Sequence, residues 1–426
     1  MARVIVIGGG WAGCAASLAA KRAGSDVVLL ERTDCLLGTG LVGGIFRNNG
    51  RFTAAEEMIA MGGGDMFQLM DRVARHTGVE FPGHKHASLY DVALMEPLVR
   101  RYLLEQGVEV WLISRVAEVT RSGDRIASVC TETGVTFEGD VFVETTGTAG
   151  AQPNCRKYGN GCAMCVLRCP AWGGRVSIAA KAGIQETMGR KPDGSLGAFS
   201  GSCKLHKDSV DRAIVAQLNR TGAAIVPIPK EMIHSEKLAT KACQQYALPE
   251  FAENLVLLDT GHVKLMTPFF PLDELRRIPG MENSRYEDPY AGGKGNSVRY
   301  LAMSPRDDTL KVVGLDNLFC AGEKAGLLVG HTEAISTGVL AGHNAVRWAL
   351  GRPLLTLPRA IAVGEAIAYV REQMETEEGM TKKYTFSGSV LFERMRSLDL
   401  YSTDTTAIAR GVQAAGLSGV FARTVS

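Results

Sequence analysis

The sequence has almost no net charge: 47 lysines and arginines oppose 45 aspartates and glutamates. That balance excludes an acidic tail. It also argues against a protein that binds nucleic acid through bulk positive charge, although a local basic face fits within a neutral total. Apolar runs of the ~20 residues that a membrane helix needs are missing, so no membrane partner is expected. The N-terminus enters an apolar run directly, without a basic leader and small-residue cleavage site. A cytoplasmic location follows as the expectation. Internal repeats and low-complexity stretches are also lacking.

What the chain does have is length and apolar content. Its 426 residues, 46% of them hydrophobic, suffice for two or three domains with real cores. Ten cysteines with no secretory leader point to metal or redox use rather than structural disulfides.

The most informative stretch is residues 1–32. Val4-Ile5-Val6-Ile7 reads as a buried parallel strand, followed by Gly8-Gly9-Gly10-Trp11-Ala12-Gly13, a G-x-G-x-x-G. An alanine-rich helix, Cys14 to Ala23, and a second apolar run, Val27 to Leu30, end on Glu31. This is the dinucleotide fingerprint in its proper context. Gly8 permits the tight turn, Gly10 lets the backbone approach a pyrophosphate, and Gly13 lets helix and strand lie close. The helix N-terminus offers N–H groups to phosphate, and Glu31 stands where a ribose-binding acid is expected. A plain glycine-rich turn is the competing reading.

Further along, the loop from Thr33 to Phe52 carries Gly38, Gly40, Gly43 and Gly44, and is expected to lie against a flat ring. Residues 54–78 read as helical with a break at Gly62-Gly63-Gly64. His84 and His86 fall in a Pro/Gly loop and read as solvated rather than metal-binding. A helix is expected over 91–106, a strand at Val108–Ile113, and a β-meander through residues 115–137. Asp140 to Gly147 reads as a strand that returns to the nucleotide site at Thr146-Gly147. A later strand ends on Ala321-Gly322-Glu323, and a helix follows from Thr332 to Leu350. That helix's N-terminus would face a flavin pyrimidine oxygen. His331, just before it, is a weak candidate for proton transfer.

The expected fold class is α/β, a Rossmann-like domain with a parallel sheet and β-meander. Residues 1–150 and 301–356 form the nucleotide domain, and 151–300 an inserted α+β substrate or cluster domain. Residues 357–426 form a helical C-terminal extension that packs on the core or joins copies in a homo-oligomer.

Gly8–Glu31, Val141–Gly147 and Leu318–Glu323 together resemble FAD-binding oxidoreductases of the glutathione-reductase-like superfamily. The resemblance implies that Glu31, with Arg32 beside it, holds the adenosine ribose and that the backbone near Val116 meets the adenine. It implies that Thr146 and Gly147 pack by the pyrophosphate, and that Gly322 and Glu323 approach the phosphate or ribityl chain. A second G-x-G-x-x-G for NADPH is missing. Reductant must then bind another way, or come through a small-molecule or protein redox partner.

Phe270-Pro271-Leu272-Asp273-Glu274-Leu275, Ile278-Pro279-Gly280-Met281-Glu282-Asn283, Ala321 through Gly342, Leu357-Pro358-Arg359-Ala360 and Gly364 carry a closer likeness. They resemble two tRNA-modifying flavoprotein families, the folate-dependent tRNA uracil methyltransferase and the glucose-inhibited division protein A. The methyltransferase's nucleophilic cysteine has no counterpart in Phe46-Arg47-Asn48-Asn49-Gly50, and Cys35 sits too early in the loop.

Cys155, Cys162, Cys165 and Cys169, followed by Pro170, have the spacing C-x6-C-x2-C-x3-C-P. The last three and the proline match part of the bacterial ferredoxin run, which points to a [4Fe-4S] cluster as metal centre. The pattern also resembles FAD-dependent oxidoreductases of anaerobes that carry such a cluster. A zinc site, a Cys162–Cys165 redox pair and four unrelated thiols compete with it. Cys14, Cys35, Cys130, Cys203, Cys243 and Cys320 read as packing residues.

The expected function is electron exchange between FAD and a [4Fe-4S] cluster in an oxidoreductase. The alternatives are a flavin-dependent RNA-modifying, one-carbon-transfer enzyme and a non-catalytic electron-transfer subunit.

Overall fold

Five parallel strands form the central sheet, in the order Leu318–Cys320, Val141–Glu144, Arg3–Ile7, Asp26–Leu30 and Glu109–Trp111. The computed structural model describes residues 1–148, 169–191, 193–196, 198–240, 244–267, 270–287, 297–299 and 301–425. The first strand sits mid-sheet because Val4, Ile5 and Val6 are apolar on both faces. Val4 pairs with Val141 on one side and Val27 on the other.

Two helices cover one face and cross at unusually close range. The fingerprint helix, Trp11–Arg22, lies against the long helix His331–Ala349. A Cβ on Gly338 would stand 2.3 Å from the Ala12 carbonyl oxygen, and one on Gly342 2.1 Å from that of Ala16. Small residues spaced by four on both helices let the backbones touch. The expected meander is present as Val116–Ser122, Arg125–Thr131 and Thr136–Glu138.

The insert is built on an antiparallel sheet ordered Cys203–Leu205, Val263–Leu265, Asn254–Asp259 and Ala223–Pro227. A second sheet, missed by the sequence reading, packs on it. Ala74–Phe81 and His84–Tyr90 form a hairpin, with Ile45–Phe46 as third strand. Val79, Phe81 and Leu89 pack with Ala223, Val256 and Leu258 of the insert. The expected helix over 54–78 is therefore shorter, two helices at Gly50–Ala60 and Asp65–Arg72. Asp259 ties the two sheets together, accepting from Arg75 Nε at 3.1 Å and His76 Nε2 at 2.9 Å and pairing with Lys207 at 2.7 Å. Burial opposes its ionisation, but Lys207, His76 and Arg75 outweigh burial and hold the carboxyl down to about 2.

The C-terminal helices, Ala362–Gln373, Ser389–Ser397 and Thr405–Ala414, pack on the core. The first is capped from a distance: Glu57 accepts the Ala362 and Val363 N–H groups at 2.7 and 2.9 Å. Among the described residues no helix is long and apolar enough to cross a membrane.

Candidate functional site

A cleft opens at the carboxyl ends of the central strands, where ligands bind in open parallel sheets. Of the sequence-predicted cofactor residues, Gly8, Gly10, Glu31, Arg32, Val116, Thr146, Gly147, Gly322 and Glu323 line it. Gly13 lies beneath and shapes the turn instead.

The glycines differ in what they do. Gly8 has a φ of +105°, and a Cβ there would meet the Thr145 carbonyl oxygen at 2.6 Å. On Gly13 a Cβ would stand 1.8 Å from the Gly8 carbonyl oxygen, so helix and turn close only without side chains. At Gly10 nothing lies within 4 Å of such a Cβ. That open space belongs to the cleft, above a helix N-terminus with no side-chain cap among the described residues. The cradle fits a pyrophosphate: open at Gly10, closed at Gly8 and Gly13, with N–H groups facing out.

Glu31 is buried at the rim. One carboxylate oxygen accepts the Gly9 N–H at 2.7 Å, and the other accepts the Thr33 N–H and hydroxyl at 2.9 and 3.0 Å. The acid thus braces the fingerprint loop while lining the place expected of a ribose. Arg32 and Arg115 reach across the cleft and donate to the carbonyls of Gly173 and Gly174, the latter at 2.8 Å.

At the other end, Leu37, Gly38, Thr39 and Leu41 line the cleft as expected of the glycine loop. Gly40 and Gly43 serve the protein itself. A Cβ on Gly40 would meet Trp11 Nε1 at 2.4 Å, and one on Gly43 would meet His331 Cε1 at 1.9 Å. His331 is the first residue of the long helix and lines the cleft. Its ring packs on Trp11, centroids 5.8 Å apart, and its Nδ1 is 3.5 Å from the Tyr90 hydroxyl.

The sequence reading missed a buried charge cluster behind the cleft. Glu144, at the end of its strand, accepts the Ile178 and Ala179 N–H groups at 2.9 and 2.8 Å and the Thr146 hydroxyl at 2.8 Å. Lys324 is fully buried, 3.5 Å from Glu144, and pairs with Glu186. Burial pushes the Glu144 carboxyl up, but Lys324, Arg175 and the two N–H groups more than offset this, so it stays below the usual carboxylate range. Burial pulls the Lys324 ammonium down to about 7 against the pull of Glu144. The thread joining these residues is spatial: Glu144 and Lys324 are far apart in sequence.

Of the four predicted metal cysteines, Cys155, Cys162 and Cys165 lie outside the described residues. Cys169 is buried at the start of a short helix, its Sγ 3.9 Å from Arg32 Nη1. No group of three or more metal-ligating side chains assembles among the described residues. His84 is not a solvated loop residue. It is buried in a strand, held by Asn48 and the Gln245 carbonyl, and burial pulls its imidazole down to about 3. Cys14 and Cys320 are core residues whose thiols burial pushes up. Burial pushes Cys203 to about 12. Cys35 is a correction to the packing reading, because it lines the cleft. Cys243 lies outside the described residues.

Comparison with known proteins agrees with this geometry. Residues 3–255 and 258–353 match the family model of glucose inhibited division protein A. The fold is similar to that of Aquifex aeolicus GidA in its form II crystal, at 18% identity and a TM-score of 0.65 over 97% of this chain and 76% of that one. In the form I crystal the figures are 17%, 0.59, 97% and 78%. The family match covers both walls of the cleft and most of the insert. This chain belongs to the glucose-inhibited division protein A family, and it is an FAD-dependent enzyme.

Proposed function

We propose that the enzyme modifies RNA, with tRNA as the first substrate to test. The observation that carries this reading is the family match, whose two segments, residues 3–255 and 258–353, take in the cleft-forming segments and the insert that meets the cleft. The insert brings positive charge to that junction: Lys204 donates to the Leu41 carbonyl at 3.1 Å, and Lys264 to that of Val42.

FAD, when bound, supplies reversible two-electron chemistry. The residues that would hold it are Gly8, Gly10, Glu31, Arg32, Val116, Thr146, Gly147, Gly322 and Glu323. The uncapped helix N-terminus at Gly10 binds phosphate, Glu31 orients a ribose, and Leu37 to Leu41 exclude water at the far end. His331 is the imidazole placed there to hold or pass a proton. Phe46–Gly50 supplies no cysteine nucleophile, and among the described residues Cys35 is a cysteine that lines the cleft.

The test is nucleoside mass spectrometry of tRNA from cells with and without the gene. The reading expects one modified nucleoside to vanish and the purified flavoprotein to restore it. Identical profiles, with no tRNA retained by the protein, contradict it.

A second reading keeps electron exchange between FAD and a [4Fe-4S] cluster, serving a small-molecule or protein redox partner. The spacing of Cys155, Cys162, Cys165 and Cys169 supports it. Iron and sulfide absent from anaerobically purified protein would remove it.

A further inference from the structure

We propose that Arg175 is an anion ligand of the cleft, and that its guanidinium takes the pyrophosphate of the bound dinucleotide. The proposal rests on the flavin reading of the cleft and adds a residue that lies outside the fingerprint.

Four observations carry it. Arg175 lines the same cleft as Gly10 and Thr146. Its side chain is only 10% exposed. Nη2 is satisfied by Glu186 at 2.8 Å, but Nε is buried with no hydrogen-bond partner among the described residues. A buried N–H of a guanidinium is costly to leave without an acceptor, and a phosphate oxygen is the acceptor that planar group suits best.

The guanidinium is also held in place. Glu186 accepts from Arg175 and from the Ser177 hydroxyl at 2.6 Å, and pairs with the buried Lys324. The backbone just before it is fastened at Gly173 and Gly174 by Arg32 and Arg115. Residues 173–176 therefore run across the cleft as a strap, with Arg175 and Val176 lining it.

Charge gives the strap its purpose. Glu31, Asp34 and Glu323 line the cleft, and a pyrophosphate brings further negative charge. The fingerprint offers glycine backbone and a helix dipole, while Arg32 and Arg115, which also line the cleft, are bonded to the Gly173 and Gly174 carbonyls. Arg175, electrostatically coupled to Glu323 and Glu144, supplies a further positive charge.

The test titrates the full-length apoprotein with FAD, ADP and adenosine. Arg175→Ala is expected to weaken FAD and ADP at least about tenfold, the size of a lost hydrogen bond to a charged group, and to leave adenosine unchanged. Arg175→Lys keeps the charge and should recover part of the loss. FAD and ADP affinities within twofold of wild type in Arg175→Ala overturn the proposal. So does an equal loss for all three ligands, which marks a structural role. If Arg175→Ala does not fold, Arg175→Lys decides by the same comparison of ADP with adenosine. A wild-type protein that binds no FAD would instead fail the flavin reading itself.

Discussion

Gly13 lies so close to Gly8 that a Cβ on it would stand 1.8 Å from the Gly8 carbonyl oxygen, while Gly10 between them faces open space. The two positions should therefore separate folding from binding. Gly13→Val is expected to destabilise the fold strongly, because backbone has to move. Gly10→Val is expected to fold normally, since its φ of −67° suits any residue, and to lose FAD. Thermal melts and flavin absorbance check both. A Gly10→Val protein that keeps its flavin contradicts the pyrophosphate assignment.

The Lys324–Glu144 pair predicts a large penalty for removing one partner. Both side chains are fully buried. Lys324→Met leaves a carboxylate with too little compensation and should cost ~3–5 kcal/mol in urea unfolding. Adding Glu144→Gln should return part of that. A Lys324→Met protein as stable as wild type would mean the pair is not ionised.

Glu57 predicts a pH slope. Burial pushes its carboxyl up to about 7, against the pull of the Ala362 and Val363 N–H groups. A folded pKa above the unfolded one means that the folded state holds the proton between about 4.5 and 7. This contribution is present in full below that window and is lost as pH rises through it, worth ~3 kcal/mol. Glu57→Gln should flatten the difference between melts at pH 5 and pH 8. An unchanged slope would place the titration elsewhere.

The fold was legible where signals were local. The run Val4–Ile7, the glycines at 8, 10 and 13, and Glu31 form one contiguous unit, and its strand, helix and acid fall where expected. The hairpin at residues 74–90 was not legible. Gly78 interrupts its first strand, half of that strand is exposed, and the apolar partners Val256 and Leu258 come much later in the chain. The site divides the same way. The fingerprint glycines sit in one window. Arg175, Lys324 and Glu144 become neighbours only when separate strands and the strap converge, and a charged residue in sequence reads as surface.

Bound FAD tests the account most directly. The protein, purified without oxygen, should carry close to one FAD per chain, with Gly10→Val carrying almost none. Iron, acid-labile sulfide and zinc are measured on the same sample. A well-folded chain that holds no FAD and takes none up when supplied with excess would contradict the account at its centre.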